Sequence, residues 1–247
     1  MPVLHPRLAL AALLLPLALA GCQLWPGSDQ PPVPVRQDLS EVRPHGCQGE
    51  DCPLVNIDTL HFPSEPALER VVDERLRRMT QYGPEDRLPP SLDAYRQDFL
   101  AQAQPGWGTW LQAKLRDWHG EILVVELSSY LFQGGAHGMP GRGFVNFDRA
   151  QDRALGLQDL VIPGREGAFW REAEAAHQRW LDGQGLADDA QFRTMWPFQR
   201  TANIALLRDR VLLKYDVYSL APYSYGHPEL AIGYDRLKGI LRAEYLP

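Results

Sequence analysis

The hydrophobic period of the chain changes near Pro105-Gly106, and this change restricts the possible folds more than any other feature of the sequence. Before it, apolar residues recur at helical spacing, as in the run from Leu68 to Met79. After it, apolar and polar residues alternate from Trp110 to Trp118, and a second long strand is predicted from Ile122 to Phe132. Helices followed by strands joined through short turns predict an α+β fold, with a mostly antiparallel sheet and packed helices.

Local signals place the individual elements within this pattern. Ser64-Glu65-Pro66 and Ser91 are typical helix starts, because Ser caps free backbone N–H groups and Pro is tolerated in the first turn. The remaining predicted elements are a strand at residues 53–60, a strand at 143–148, a helix at about 164–180, a hairpin of 203–207 and 211–215, a strand at 229–232 and a short helix at 234–241.

The first 21 residues read as a secretion signal. Their apolar core is too short to span a bilayer, and it is followed by Leu19-Ala20-Gly21-Cys22, which resembles a bacterial lipobox. We therefore expect a lipoprotein signal peptide at residues 1–21 and a lipid anchor on Cys22, with an ordinary secreted protein as the alternative. Gln23, in place of Asp, resembles the sorting pattern of lipoproteins in the Gram-negative outer membrane, facing the periplasm.

A proline-rich segment and two cysteines follow the predicted anchor. Residues 22–46 hold five prolines and little apolar periodicity, which is typical of an extended tether. If Cys22 carries lipid, Cys47 and Cys52 remain as an even pair in a compartment that permits disulfides, so we expect a Cys47–Cys52 bond. A metal half-site or a redox pair is the alternative interpretation of these two cysteines.

The composition of the rest of the chain is that of an ordinary folded protein. Residues after 46 number about 200, which suits one domain or two small ones, and we divide them into an α/β region at 47–106 and an α+β domain at 107–247. The formal net charge of −6 argues against a nucleic-acid partner and is compatible with a basic one.

One glycine-rich string is the most distinctive motif in the chain. It runs Tyr130-Leu-Phe-Gln-Gly-Gly-Ala-His-Gly138, and it is followed by Val145-Asn-Phe-Asp148, Leu157-Gln-Asp-Leu160 and Leu220-Ala-Pro-Tyr223. In this order the motifs resemble the C-terminal domain family of the lysozyme-sensing anti-sigma factor RsiV, a domain that the peptidoglycan deacetylase PdaC also carries. The resemblance covers about Trp110 to Leu241. It implies an extracytoplasmic module that binds other molecules, in the sensor's case lysozyme.

The candidate binding residues lie in two loops. Two glycines in the first loop allow positive φ, and the tyrosines offer apolar area with a polar tip. We expect a lysozyme-like protein or peptidoglycan to bind there, without catalysis, cofactor or metal. The candidate ligand-binding residues are Tyr130, Gly134, Gly135, His137, Tyr223, Tyr225 and His227.

Two other functions are compatible with the same motifs. An envelope hydrolase or metal-dependent enzyme would use His137 as base or ligand. The alternative is a structural role, in which the His137 ring fills its loop and hydrogen-bonds to backbone. No acid, serine or thiol stands beside it in the sequence to support catalysis. A purely structural role in envelope assembly is the third possibility. Burial of one or both loop tyrosines under the sheet is the alternative to ligand binding by them.

Overall fold

A six-stranded sheet is the largest element of the fold. The computed structural model describes residues 31–81, 83 and 85–246, and the predicted signal peptide with Cys22 lies outside this range. The strands follow one another in sequence order across the sheet, and every neighbouring pair is antiparallel except β2 and β3. The strands are β1 (Arg36–Val42), β2 (Leu54–His61), β3 (Gly108–His119), β4 (Ile122–Phe132), β5 (Met139–Asp148) and β6 (Arg153–Leu155).

Two helices connect the parallel pair β2 and β3. Helix α1 (Pro66–Arg78) begins with its proline in the first turn, as predicted, whereas no side chain caps its N-terminus. Helix α2 (Leu92–Gln102) begins at the predicted cap, where the Ser91 hydroxyl accepts a hydrogen bond of 3.0 Å from the Ala94 amide. Because parallel neighbours need a long crossover, this helical connection accounts for the single parallel pair in the sheet.

A second, three-stranded antiparallel sheet packs beside the first. Its strands are β7 (Ile204–Leu206), β8 (Arg210–Lys214) and β9 (Glu229–Gly233). The remaining helices are α3 (Leu157–Leu160), α4 (Glu166–Gln184) and α5 (Ala190–Met195), and three short 3-10 turns lie at Tyr223–Tyr225, Tyr234–Leu237 and Ala243–Tyr245. The predicted α+β class and mostly antiparallel pairing are therefore confirmed.

Hydrophobic cores lie on both faces of the six-stranded sheet. Along β4, Leu123 and Val125 face a cluster with Leu68 and Leu76 of α1, while Ile122 and Val124 face the second sheet and α4. Successive side chains of a strand point to opposite faces, so an apolar run such as 122–125 requires a cover on each side. None of the described helices is long and apolar enough to cross a membrane.

The structure differs from the predicted tether and domain division. Residues 36–42 form the edge strand β1, which pairs with β2 over its whole length, so the predicted spacer does not extend to residue 46. Both sides of the predicted boundary at Gly106 belong to one sheet, because β2 pairs with β3. From Pro31 onward the chain is one compact unit.

Three individual elements also differ from the prediction. Strand β5 begins at Met139, four residues before the predicted start at Gly143. The predicted helix at 234–241 is a 3-10 turn of four residues, and helix α5 has no counterpart in the prediction.

The predicted Cys47–Cys52 disulfide is present. Its Cα atoms are 5.8 Å apart, and it closes the connection between β1 and β2. The carbonyl oxygen of Cys52 also accepts a hydrogen bond of 3.0 Å from the Arg43 guanidinium. The covalent and polar contacts together hold the start of β2 beside the end of β1.

Candidate functional site

The glycine-rich string forms the short loop between β4 and β5. Gly134 and Gly135 have φ values of +91° and +90°, in the region that side chains other than glycine rarely adopt. An added Cβ at either position would meet no atom within 4 Å, so backbone conformation and not space requires glycine here. The predicted positive φ at both residues is confirmed, and the resulting turn brings His137 back over the end of the sheet.

Two tyrosines lie against the His137 ring, Tyr218 exposed and Tyr223 partly buried. Tyr223 stacks on it with ring centroids 3.9 Å apart, and the Tyr218 hydroxyl lies 3.3 Å from His137 Nε2. The Tyr218 and Tyr223 rings are 5.7 Å apart, so the three rings touch one another. We call His137, Tyr218 and Tyr223 the aromatic surface.

Hydrogen bonds orient the rings of the aromatic surface. The Gly138 carbonyl accepts from His137 Nδ1 at 3.0 Å and from the Tyr223 hydroxyl at 3.1 Å. Since a carbonyl oxygen only accepts, the proton of the neutral imidazole belongs on Nδ1, and Nε2 accepts from Tyr218. A single backbone oxygen thus fixes both the His137 tautomer and the position of Tyr223.

Tyr130 supports this arrangement from below. Its hydroxyl accepts a hydrogen bond of 3.0 Å from the Gly138 amide, and its ring packs edge-on against Trp110 at 5.4 Å. A Cβ at Gly138 would overlap the Tyr130 ring and the Leu131 carbonyl, so the close approach depends on glycine. Tyr130 is therefore a supporting residue of the candidate site.

Sequence reasoning missed Tyr218. It is 46 % exposed and has a φ of +64°, which is an outlier for a bulky residue. Strained backbone of this kind is concentrated at functional sites. Its sequence neighbourhood, Asp216-Val-Tyr-Ser219, carries no signal for either property, because both depend on the chain reversal after β8.

A cavity of about 440 Å³ adjoins the aromatic surface. It lies between the C-terminal end of α1, helix α2 and the ends of β3, β4 and β5. Its lining includes Met79, Tyr95, Thr109, Ser129, Tyr130, His137 and Met139. Apolar walls with a few hydroxyl and ring nitrogen groups are typical of a small-ligand site.

Tyr225 and His227 do not join the aromatic surface. Tyr225 is 40 % exposed but packs toward Trp180 and Phe192, with centroid distances of 6.1 and 5.8 Å. The His227 ring is largely buried, and its Nδ1 lies 3.0 Å from the Tyr215 carbonyl oxygen. Burial is the main cause that lowers the pKa of His227 below its usual value. Of the three candidates Tyr223, Tyr225 and His227, only Tyr223 contributes to the aromatic surface.

The described residues hold no group of three or more His, Cys, Asp and Glu side chains able to bind a metal ion. The hydrogen-bond partners of His137 are a carbonyl oxygen and a phenol, neither of which orients a base toward a nucleophile. What the arrangement offers is exposed, oriented aromatic area beside a cavity. That combination suits the binding of a ligand.

Comparison with known proteins places the fold in a family. Residues 158–235 match the family described as "Protein of unknown function (DUF3298)". The chain is also similar to the peptidoglycan-N-acetylmuramic acid deacetylase PdaC of Bacillus subtilis (strain 168), at 24% identity over 128 residues, or 51% of this chain. It spans about a quarter (27%) of the length of that curated relative.

Two crystal structures share the fold. A DUF3298 family member from Bacteroides fragilis NCTC 9343 is 16% identical, with a TM-score of 0.64 over 85% of this chain and 95% of that one. A DUF3298 family protein from Pseudomonas aeruginosa PAO1 is 54% identical, with a TM-score of 0.84 over 88% of this chain and 98% of that one. Because more than half of the aligned residues are identical over nearly the whole of that protein, the chain belongs to the DUF3298 family.

Proposed function

We propose that this DUF3298 protein is a lipid-anchored binding protein of the cell envelope, whose aromatic surface holds peptidoglycan without chemically changing it. The observation that carries the proposal is the set of three touching rings, two of them tied to the Gly138 carbonyl, beside a cavity of about 440 Å³. Oriented aromatic rings present apolar faces to the C–H groups of a sugar, while the phenol oxygens, whose protons are already donated, can still accept hydrogen bonds from its hydroxyls.

The similarity to a peptidoglycan deacetylase supports the choice of ligand. The chain matches only part of that enzyme, so the similarity bears on a shared module and carries no deacetylase activity over. The lipobox-like sequence at Cys22 and the resemblance to the RsiV-type domain support an envelope location. Together these features favour a protein tethered to the membrane that contacts the cell wall.

Cosedimentation with insoluble peptidoglycan tests the proposal. Tyr218→Ala removes the most exposed tyrosine ring of the aromatic surface, and we expect it to weaken binding about tenfold, as for an aromatic residue that contributes strongly to an interface. Tyr225→Ala is the matched control, because it removes a similarly exposed ring from the same part of the chain but outside the surface. Circular dichroism verifies that both variants fold.

Two results would contradict the proposal. One is no cosedimentation of the wild-type protein at micromolar concentration. The other is an equal loss in both variants, which would move the contact away from the aromatic surface.

A lysozyme-like protein is the second candidate ligand. The resemblance to the lysozyme-sensing module favours it, and so does the net charge of −6, which suits a basic partner. Titration of the same variants with a purified lysozyme distinguishes the two ligands. Lysozyme binding that Tyr218→Ala weakens, without peptidoglycan binding, would replace the first candidate by the second.

The proposed anchor has a separate test. Palmitate labelling in a Gram-negative host should mark the wild-type protein, and Cys22→Ser should abolish the label because the thiol carries the diacylglycerol. Labelling that persists in the variant would contradict lipidation of Cys22.

A further inference from the structure

A second cavity lies beside β5, on the side of this strand that is away from β4. Helix α1, strand β5, the segment from β6 to α3 and residues 200–204 surround a volume of about 380 Å³. Much of its wall is core: Phe144, Leu155, Leu160 and Ile204 are all buried. The apolar wall fits a ligand with a hydrocarbon or aromatic body.

Two arginines line the same cavity, and no aspartate or glutamate does. Among the described residues, neither Arg75 nor Arg200 forms an ion pair. The acidic residues beside Arg75 on α1 are already engaged, because Asp73 pairs with Arg77 at 2.7 Å and Glu74 with Arg78 at 2.7 Å. The cavity therefore carries two positive charges that side chains of its wall do not neutralise.

Arg200 is held by an aromatic ring. Its guanidinium carbon lies 5.3 Å from the centroid of the buried Trp170 ring, a cation–π distance. Trp170 is fixed in turn, because its indole N–H donates to a Glu166 carboxylate oxygen at 3.2 Å. A guanidinium over a ring can still donate its N–H groups to a planar acceptor.

Two other polar side chains of the wall already have hydrogen-bond partners. The Asn146 amide donates to the Ile204 carbonyl at 2.7 Å, and its oxygen accepts from the Leu206 amide at 2.8 Å. The Thr201 hydroxyl oxygen accepts from the Asn203 amide at 3.0 Å. The two arginines are the charged groups of the wall, and they can therefore select the charge of a ligand.

We propose that this cavity binds a small organic carboxylate with an apolar body, the carboxylate held by Arg75 and Arg200 and the body packed on the core wall. Guanidinium groups bind carboxylates through paired, charge-assisted hydrogen bonds. Few polar groups set in an apolar wall are the usual composition of a small-molecule site. This site is separate from the aromatic surface and does not depend on the function proposed for it.

Calorimetric titration of the full-length protein with hexanoate and with benzoate tests the proposal. For ligands of this size we expect a Kd on the order of 1 mM. Arg75→Gln and Arg200→Gln should each weaken binding at least tenfold. Arg200→Lys keeps the charge but loses the flat, forked donor group, so its affinity should fall between wild type and Arg200→Gln.

Arg171→Gln is the matched control. Arg171 lies on α4 next to Trp170, carries the same charge and is absent from the cavity wall, so we expect wild-type affinity. 1-Hexanol, a neutral analogue of hexanoate, should bind at least tenfold more weakly than the acid. Thermal unfolding of each variant shows whether it remains folded at the titration temperature.

Several outcomes would overturn the proposal. Equal affinity for hexanol and hexanoate would indicate an apolar pocket without charge selection. An equal loss in Arg171→Gln would indicate a general effect of net charge. Inorganic phosphate binding as tightly as hexanoate would indicate a simple anion site, and no binding of either acid at tens of millimolar would exclude the ligand class.

Discussion

At the scale of single residues, the signature motifs prove to be largely structural. Asn146, from the Val145-Asn-Phe-Asp148 motif, joins the two sheets through its bonds to the backbone of Ile204 and Leu206. Asp148 closes the following turn, since its Oδ1 accepts from the amides of Ala150 and Gln151 at 2.9 and 3.1 Å. A motif that identifies a family can thus mark the positions where backbone groups need a side-chain partner.

Replacement of Asn146 should destabilise the fold strongly. Asn146→Ala leaves a buried carbonyl and a buried amide of β7 without their partner, and each unsatisfied group costs about 1–3 kcal/mol. We expect a loss of about 3 kcal/mol in the free energy of unfolding, measured by urea denaturation. Asn56→Ala, at a more exposed position with a 3.5 Å bond, should cost under about 0.5 kcal/mol. Similar losses in both variants would contradict the role of Asn146.

His177 should make the fold less stable in acid. Its side chain is buried, at 6 % exposure, and burial followed by the charge of Arg193 lowers its pKa below the usual value of 6.5. The unfolded chain therefore takes up a proton first, so the stability from a neutral His177 is complete above pH 6.5 and is lost as the pH falls through the folded value. His177→Phe should show a smaller loss of stability between pH 7.5 and pH 5.

His61 provides the comparison of opposite sign. Hydrogen bonds to Glu69 and then to Asp38 raise its pKa, so its contribution is present below pH 6.5 and is lost as the pH rises through the folded value. The side chain is 41 % exposed, so after solvent screening we expect no more than about 0.5 kcal/mol. His61→Gln should cost stability at pH 5.5 and little at pH 8.5. The same pH trend in both histidine variants would contradict these assignments.

At the scale of elements, β1 shows how pairing overrides a weak local pattern. Its sequence, Arg36-Gln-Asp-Leu-Ser-Glu-Val42, is mostly polar and follows several prolines, which is why it reads as part of a spacer. The strand forms because β2 offers it a complete ladder of seven residue pairs. As an edge strand it needs no apolar outer face, and charged residues on such an edge discourage pairing with other chains.

The disulfide should matter most for this edge strand. Closing a loop of about six residues stabilises by about 2 kcal/mol in the chain-entropy model. We expect the Cys47→Ser, Cys52→Ser double variant to lose about that much in denaturant unfolding. Amide exchange should accelerate in residues 36–42 and much less in β4, which lies between two strands. Uniform acceleration across the sheet would show that the disulfide acts on the whole fold and not on its edge.

At the scale of the whole molecule, the six-stranded sheet binds the two predicted regions into one. The pairing of β2 with β3 crosses residue 106, and α1 covers residues contributed by β3, β4 and β5. Without residues 31–106, the face formed by Leu111, Leu123 and Val125 would be exposed to water. Each such side chain contributes roughly 1.5–3 kcal/mol by its burial.

Unfolding should therefore be cooperative. We expect calorimetry of the part from Pro31 onward to give one transition, with equal calorimetric and van't Hoff enthalpies. A fragment of residues 107–247 should fail to reach native circular dichroism, because its sheet lacks one cover. Two separate transitions, or a stably folded fragment, would support the domain boundary at residue 106 that the sequence suggests.

The sequence by itself determined the class of fold, most elements and the disulfide. The hydrophobic period, the Ser91 cap and the Cys47–Cys52 pair are local signals, because each involves residues that are close together in the sequence. Of the candidate site, the sequence identified Tyr130, His137, Tyr223 and the two glycines. It could not separate Tyr223 from Tyr225, since neighbours on a tight turn point to different sides.

Only the tertiary structure decided what lies beside these residues. Tyr218 reaches His137, and Arg200 shares a cavity with Arg75, across more than 80 and more than 120 positions of sequence. Strand β1 likewise depends on a partner that the local pattern does not show. Such contacts follow from how two sheets and their helices pack to bury apolar surface, and that packing is a property of the whole chain.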